Sequence, residues 1–259
     1  MILCLDIGNS TVKAGVFSSN VLIEFHSIDR SNLDTELMEL ITKCKPDIAF
    51  ISSVEKKSEG IIISLLGSMG LRYMKMDRSL LSLQISVDEP DQLGEDRIAN
   101  SYGALSLFPS NDCLVIDIGT TLTFDLVTKE GIYLGGAIYP GVDICLKSLF
   151  EGTDLLPLIS LEKPTSALGT STISHIQSGI YYGLLGAIER ISSEICLSAN
   201  SPSSVKIVAT GGLTKAKSNL LASLFCEDLK EVVDFIDPTL TITGIYEIFK
   251  EHLSKKQEK

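Results

Sequence analysis

Several features that would assign this chain to a common class of protein are missing from its sequence. Its 3 histidines and 6 cysteines are scattered without a C-x-x-C pair, so neither a zinc site nor a regular disulfide framework is indicated. No apolar run approaches the roughly 18 residues of a membrane-spanning helix, and no basic segment precedes the first apolar run as in a signal peptide. We therefore expect unpaired thiols in a cytoplasmic protein that does not bind membranes.

Basic residues are also in the minority. The 259 residues carry a formal net charge of −11, with 22 Lys and Arg against 33 Asp and Glu. An acidic surface disfavours non-specific binding of nucleic acid, because the phosphate backbone is repelled. A single nucleotide is not disfavoured, since it needs only local neutralisation. The hydrophobic content of 44% is that of a globular protein with a substantial core.

Two common nucleotide-binding signatures are absent as well. The chain has no G-x-x-x-x-G-K-[ST] P-loop and no G-x-G-x-x-G, so neither a P-loop nor a dinucleotide Rossmann site is supported. It has instead two similar segments, LCLDIGNSTVK from residue 3 and LVIDIGTTLT from residue 114. Each is a short apolar run that ends in Asp-Ile-Gly and continues into small hydroxyl or amide residues.

Each Asp-Ile-Gly segment predicts a buried strand followed by a ligand-binding turn. The apolar runs before Asp6 and Asp117 are typical of buried strands. The glycine lets backbone approach a ligand closely, and the polar groups after it can hold phosphate oxygens. An aspartate at a strand end facing phosphate normally works through a bound cation. One copy could equally be a strand and a plain turn, but two copies indicate related halves that face one cleft.

The remaining patterns support this division into halves. A three-strand meander, a helix, a strand and a helix are predicted at 2–6, 13–18, 21–26, 33–44, 48–52 and 57–68. A second meander is predicted at 113–118, 123–128 and 132–137, then a helix at 173–198, strands at 205–209 and 231–234, and helices ending at 226 and 254. We place the boundary near residue 110, which gives halves of residues 1–110 and 111–259.

Three further segments carry residues with potential chemistry. Residues 85–97 read as an acid-rich loop, in which Gly94 and the Asp96-Arg97 pair precede a helix with small residues on one face. Most such acidic runs are solvated connections, but a charged pair before a small-residue helix face suggests close packing at a cleft or subunit boundary. Residues 135–142 and 210–213 place adjacent glycines near strand ends, where ligands bind in α/β proteins.

In this order and spacing, the motifs resemble those of the type III pantothenate kinases, in the acetate kinase, sugar kinase, Hsp70 and actin superfamily. The resemblance covers about residues 2–250 and rests on the motifs that begin at Asp6, Gly94, Asp117, Gly135 and Thr210. It implies an α/β fold of two ribonuclease-H-like halves with mixed sheets flanked by helices, and a nucleotide in the cleft between them. It also implies phosphorylation of pantothenate by ATP, the first step of coenzyme A synthesis.

The resemblance assigns roles to individual residues. Asp96 falls on the general base, which orients the substrate hydroxyl and accepts its proton. Asp117 falls on the ligand of a monovalent cation, potassium or ammonium, which the family needs besides magnesium. The ATP-binding positions are Asp6, Ile7, Gly8, Asn9, Ser10, Thr11, Val12, Lys13 and Thr120. The pantothenate-binding positions are Gly94, Glu95, Asp96, Arg97 and Thr172, with the pocket at or near the interface of a homodimer.

Some positions depart from the family pattern. Val87 stands where a tyrosine is usual ahead of Pro90, and the segment 169–172 lacks the usual arginine. Arg97 offers a planar fork of donors that suits either the pantothenate carboxylate or a phosphate, and the sequence leaves both open. Because both loop aspartates and Asp96 are present, we expect an active enzyme.

Other functions stay open at this point. A non-catalytic homologue could act as an accessory or regulatory binding protein, but it would have no chemical need for Asp96. A kinase of a sugar or an acyl acid would use the same ATP cleft, although the Gly94–Arg97 motif favours pantothenate. An assembly or chaperone role like that of actin or Hsp70 has little room in 259 residues.

Overall fold

A computed structural model describes residues 1–199, 204–212 and 227–257 of this chain. They fall into two compact units. The first unit consists of Met1–Pro109, Gly131–Tyr133 and the segment from Thr239 onward, and the second of Ser110–Glu130 and Leu134–Pro238. No helix among the described residues is both long enough and apolar enough to cross a membrane.

The secondary structure of the described residues alternates strands and helices. The strands are β1 (Ile2–Ile7), β2 (Thr11–Ser18), β3 (Val21–Asp29), β4 (Ile48–Ser53), β5 (Tyr73–Lys75), β6 (Gln84–Ile85), β7 (Cys113–Ile118), β8 (Thr121–Val127), β9 (Ile132–Pro140), β10 (Lys206–Thr210) and β11 (Phe235–Ile236). The α-helices are α1 (Leu33–Cys44), α2 (Lys56–Ser68), α3 (Glu95–Leu107), α4 (Val142–Glu151), α5 (Thr172–Cys196) and α6 (Leu240–Gln257).

The first unit is built on a mixed sheet with the strand order β3-β2-β1-β4-β5. The strands β1, β2 and β3 are antiparallel, whereas β4 runs parallel to β1. Leu3, Leu5 and Ile7 are fully buried in the core that α1 and α2 cover. The other face of the sheet packs on α6, where the rings of Phe17 and Tyr246 stack with centroids 4.0 Å apart. Both faces are therefore covered by helices, as continuous apolar strands require.

The second unit repeats this arrangement. Its strands follow the order β9-β8-β7-β10-β11, with β7 and β8 antiparallel and β10 parallel to β7. Leu114, Ile116 and Ile118 are buried in a core to which α4 and α5 contribute. The predicted α/β fold of two related halves, each a mixed sheet flanked by helices, is confirmed.

The terminal helix α6 packs within the first unit. A Cβ at Gly244 of α6 would lie 1.7 Å from the carbonyl oxygen of Ala99, and one at Gly103 of α3 would lie 2.5 Å from that of Leu240. The backbones of α3 and α6 can touch only because neither glycine carries a side chain. The small residues of α3 therefore serve a contact inside the unit, where the sequence suggested a cleft or a subunit boundary. The sequence-based division assigned α6 to the second half, residues 111–259. In the structure α6 belongs to the same compact unit as residues 1–109.

Most predicted elements match the structure closely. The helix at 33–44 and the strand at 113–118 have the predicted bounds. The strand expected at 231–234 is wrong in position, because the pairing with β10 is made by Phe235 and Ile236. Asp96 and Arg97 lie in the first turn of α3 rather than in the loop before it. The helix predicted to end at 226 lies outside the described residues.

Candidate active site

The first Asp-Ile-Gly segment forms the turn between β1 and β2. Asp6 is 5% exposed, and the Gly8 N–H donates to the Thr11 carbonyl at 3.1 Å, which closes the turn. Lys13 lies opposite Asp6 in the strand register. Its Nζ is 3.6 Å from Asp6 Oδ2 and donates to Thr241 Oγ1 at 3.2 Å. The turn is thus flanked by a buried aspartate and a partly buried lysine of opposite charge.

The other residues of this turn divide into two groups. Ile7 and Val12 are fully buried and are part of the apolar core, so only their backbone can face a ligand. Asn9 and Ser10 are exposed at the tip of the turn. Short polar side chains at an exposed tip, together with backbone N–H groups, have the donor chemistry that phosphate oxygens need.

Arg30 adds a positive charge to this turn that no sequence motif indicated. Its guanidinium donates to the Gly8 carbonyl at 3.0 Å and lies 3.2 Å from Glu55 Oε2. Glu55 caps the N-terminus of α2, where it accepts the N–H groups of Lys57 and Ser58 at 2.8 Å each. Hydrogen bonds from the Ser58 side chain and from these amides lower the pKa of Glu55 to about 2. Glu55 is therefore a carboxylate partner for Arg30 at neutral pH.

The motif from Gly94 to Arg97 begins helix α3. Gly94 is the residue before its first turn, and a Cβ at Gly94 would lie 2.3 Å from Asp96 Oδ1. Asp96 Oδ1 accepts the Arg97 N–H at 2.9 Å. The guanidinium carbon of Arg97 lies 5.9 Å from the centre of the Tyr133 ring, a cation–π distance. Glycine therefore makes room for the folded-back carboxylate of Asp96.

Glu95 joins the start of α3 to the sheet. Its carboxylate accepts the Ser53 N–H at 2.8 Å. Burial raises the pKa of Glu95, and the Ser53 amide partly opposes this rise. Ser53 ends β4 and is in register with Ile7 of β1. The Gly94–Arg97 segment and the first turn therefore lie at the same edge of the first unit.

The second Asp-Ile-Gly segment forms the turn between β7 and β8. Asp117 holds the same place in β7 as Asp6 holds in β1. This turn is shorter by one residue, because Ile118 pairs with Leu122, whereas Ile7 pairs with Val12. In consequence, the residue that faces Asp117 across the hairpin is Thr123, a neutral side chain.

Two predicted glycine segments pack on the second turn. A Cβ at Gly141 would lie 2.3 Å from the Thr120 carbonyl oxygen, and one at Gly211 would lie 2.4 Å from Asp117 Oδ1. Gly211 has φ of +103°, a left-handed conformation that favours glycine. These glycines allow backbone to approach the turn itself, and Thr120 remains exposed at its tip. Leu213 of the same motif lies outside the described residues.

Thr172 belongs to a different surface of the second unit. It is the first residue of α5, directly after Ser171, whose side chain caps the helix. It lines an open groove of about 690 Å³ between α4 and α5, together with Tyr139, Cys145 and His175. Residues 117–120 do not line this groove. The structure thus places 6–13 and 94–97 at one edge of the first unit, and 117, 120 and 172 in the second.

No group of three or more His, Cys, Asp or Glu side chains in the described part of the chain could hold a metal ion. A dedicated divalent-metal cage is thus not built there. Magnesium often binds mainly through substrate phosphates and water, so a phosphate-binding turn does not require such a cage.

Comparison with known proteins identifies the family. The model of the type III pantothenate kinase family matches residues 2–194. A type III pantothenate kinase of Legionella pneumophila is 34% identical over 262 residues, covering 95% of this chain and 96% of the relative. The type III pantothenate kinase 2 of Francisella tularensis subsp. holarctica is 34% identical over 268 residues, covering 98% of this chain and 99% of the relative.

Solved structures agree on the fold. A conserved protein of Campylobacter jejuni, described as a Baf family transcriptional activator, aligns with a TM-score of 0.59 at 20% identity, over 97% of this chain and 99% of that one. Component A of (R)-2-hydroxyglutaryl-CoA dehydratase from Acidaminococcus fermentans aligns with a TM-score of 0.50 at 13% identity, over 97% and 98% of the two chains. The structures show the fold alone; the sequence matches show that this chain belongs to the type III pantothenate kinase family.

Proposed function

We propose that this chain transfers the γ-phosphoryl group of ATP to pantothenate, giving 4′-phosphopantothenate and ADP in the first step of coenzyme A synthesis. The proposal is carried by the position of Asp96. This carboxylate lies at the start of helix α3. The hydrogen bond from the Ser53 N–H to the Glu95 carboxylate, at 2.8 Å, joins the start of α3 to the sheet edge that carries the turn between β1 and β2. A proton acceptor and a phosphate-binding turn at one edge are what phosphoryl transfer to an alcohol needs.

Asp96 is the general base in this proposal, and Glu95 is not. Glu95 is engaged with the Ser53 amide at 2.8 Å, which fixes it as the link between the start of α3 and the sheet. The Asp96 side chain folds back onto the start of its own helix. Phosphoryl transfer has a loose transition state, so Asp96 mainly orients the pantothenate hydroxyl and accepts its proton late. Arg97 lies one residue away and binds an anionic group of the substrate.

The first turn binds the ATP phosphates through Gly8, Asn9, Ser10 and Thr11. Lys13 acts indirectly, because its ammonium lies beside Asp6 and Thr241. It keeps the aspartate charge compensated when phosphates approach. ATP is used with Mg²⁺, which neutralises part of the phosphate charge.

The second turn supplies Thr120 for ATP and Asp117 for a monovalent cation, potassium or ammonium. A single carboxylate beside carbonyl and hydroxyl oxygens suits a singly charged ion of this size. The donor chemistry of the second turn therefore fits the cation that the family resemblance implies.

A homodimer, with pantothenate near Thr172, completes the proposal. Along α5, Ile173 and Tyr182 are 50% and 42% exposed. A Cβ at Gly179 or Gly183 would meet nothing within 4 Å among the described residues. Exposed apolar side chains together with small residues on one helix suit close packing against a second copy. The described cysteines form no disulfide, which supports a reducing compartment, the cytoplasm.

The test is release of ADP from ATP with and without pantothenate, in magnesium buffer containing potassium. We expect pantothenate-dependent turnover that Asp96→Asn abolishes. Asp91→Asn is the matched control, because Asp91 is an exposed aspartate in the turn before α3. A folded wild-type dimer without pantothenate-dependent turnover would overturn the kinase function and favour an accessory binding protein.

A further inference from the structure

We propose that the hydroxyl of Thr210 is an additional oxygen ligand of the monovalent cation at Asp117. The proposal rests on the function proposed above, which places potassium or ammonium beside Asp117. Thr210 is the last residue of β10 and is 0% exposed. Its Oγ1 has no hydrogen-bond partner among the described residues. A buried polar group without a partner is costly and uncommon in native proteins, and an ion or a water is a usual reason for one.

The strand register places this hydroxyl beside the carboxylate. Thr210 and Asp117 are direct partners in the parallel pair β10 and β7. Register partners on neighbouring strands project from the same face of a sheet. The two side chains therefore rise side by side at the carboxyl end of the sheet.

The residue after Thr210 brings a third oxygen to the same corner. The position that a Cβ of Gly211 would take lies 2.4 Å from Asp117 Oδ1 and 2.6 Å from the Ile118 carbonyl oxygen. A carboxylate, a carbonyl and a buried hydroxyl therefore converge around the Thr210-Gly211 backbone. Neutral oxygens with one negative charge suit a monovalent ion, because they replace its hydration without adding excess charge.

The two units differ in the residue that faces the aspartate across the hairpin. Asp6 faces Lys13 across its hairpin, with Nζ and Oδ2 3.6 Å apart. Because the second turn is one residue shorter, Asp117 faces the neutral Thr123 instead. The position across the hairpin that holds the ammonium of Lys13 in the first unit thus holds an uncharged side chain in the second. Potassium or ammonium at Asp117 would supply an equivalent charge.

The hydroxyl neighbours match between the units. Ser52 of β4 is in register with Asp6, as Thr210 is with Asp117, and both hydroxyls have no hydrogen-bond partner among the described residues. The units differ instead in the positive charge beside the aspartate, which in the first unit is the ammonium of Lys13.

The experiment measures cation binding without turnover. Melting temperatures of full-length dimer, with Mg²⁺ and a non-hydrolysable ATP analogue, are recorded against KCl at constant ionic strength held with NaCl. The wild type should show a saturable rise specific to potassium. Thr210→Val, which keeps the shape and removes the hydroxyl, should raise the half-saturating potassium concentration by about tenfold, the lower end of losses at metal sites. Thr210→Ser should retain the wild-type response.

Ser192→Ala is the matched control. Ser192 is 1% exposed in α5 of the same unit, and its hydroxyl also has no described partner, so its removal should leave the potassium response unchanged. A Thr210→Val protein that melts at a higher temperature and responds to potassium like the wild type would overturn the ligand role. Thr210→Ala serves the same test if the valine variant does not fold.

Failure of the underlying function gives a different result. A wild type without any potassium-specific rise would exclude the cation site at Asp117, and the Thr210 ligand with it. If the wild type shows the potassium-specific rise in melting temperature but no pantothenate-dependent ADP release, the kinase function is excluded. The role of Thr210 as a ligand is then retained.

Discussion

Arg30 holds the backbone of the first turn by donating to the Gly8 carbonyl at 3.0 Å. The C=O and N–H of one peptide unit point in opposite directions, so fixing the Gly8 carbonyl also fixes the direction of the Asn9 N–H. The Gly8 N–H is already bonded to the Thr11 carbonyl. Arg30 therefore fixes the backbone of the turn that we propose binds phosphate, and Glu55 holds Arg30 in place.

Replacing Arg30 should weaken ATP binding selectively. We expect Arg30→Gln to raise the KM for ATP about tenfold, since a charge-assisted hydrogen bond contributes ~1.5 kcal/mol. The KM for pantothenate should change little. Steady-state kinetics with each substrate varied in turn provide the measurement.

The control for Arg30 is Lys43→Gln. Lys43 is another exposed cation of the first unit and pairs with Glu24, so its loss removes the same charge away from the turn. Arg30→Lys should recover part of the ATP affinity, because one donor and the charge remain. An unchanged KM for ATP in a less stable Arg30→Gln protein would show that Arg30 has only a structural role.

Gly94→Ala should reduce turnover while leaving the fold intact. The new methyl group would lie 2.3 Å from Asp96 Oδ1, and the flexible carboxylate would have to move. A displacement of about 1 Å at a reacting group can cost ~100-fold in rate. The measurements are kcat and the melting temperature. Gly67→Ala is the control, because a Cβ there meets nothing within 4 Å, and a wild-type kcat for Gly94→Ala would contradict the prediction.

The stability of the first unit should fall in mild acid because of His252. This residue is 0% exposed, and its Nε2 accepts the Asp77 N–H at 2.9 Å. Burial lowers the pKa of His252 below its usual value of 6.5. The unfolded chain therefore binds a proton near pH 6.5, which the folded chain resists. The stabilisation is complete above about pH 6.5 and is lost as the pH falls towards the lowered folded pKa.

Urea unfolding at pH 7.5 and pH 5.5 measures this effect. His252→Gln retains a hydrogen-bond acceptor without a titrating group, so its free energy of unfolding should depend less on pH than that of the wild type. Equal pH dependence in His252→Gln and wild type would exclude His252 as the cause.

Much of this protein follows from its sequence alone. Apolar periodicity and turn residues predicted α1 and β7 at their observed bounds, because helices and strands depend on residues a few positions apart. The repeated Asp-Ile-Gly segments predicted two related halves, and the strand orders of the two sheets confirm them. Gly94 to Arg97 carried the family resemblance that the comparisons confirm.

Only the tertiary structure decided which distant residues meet. The Arg30–Gly8 bond, the packing of Gly244 on Ala99 and the register of Thr210 with Asp117 join residues 22, 145 and 93 positions apart. The one-residue difference between the turns, which gives Asp6 a lysine and Asp117 a threonine, follows from strand pairing. No local pattern encodes these contacts, because packing across the whole core selects them together.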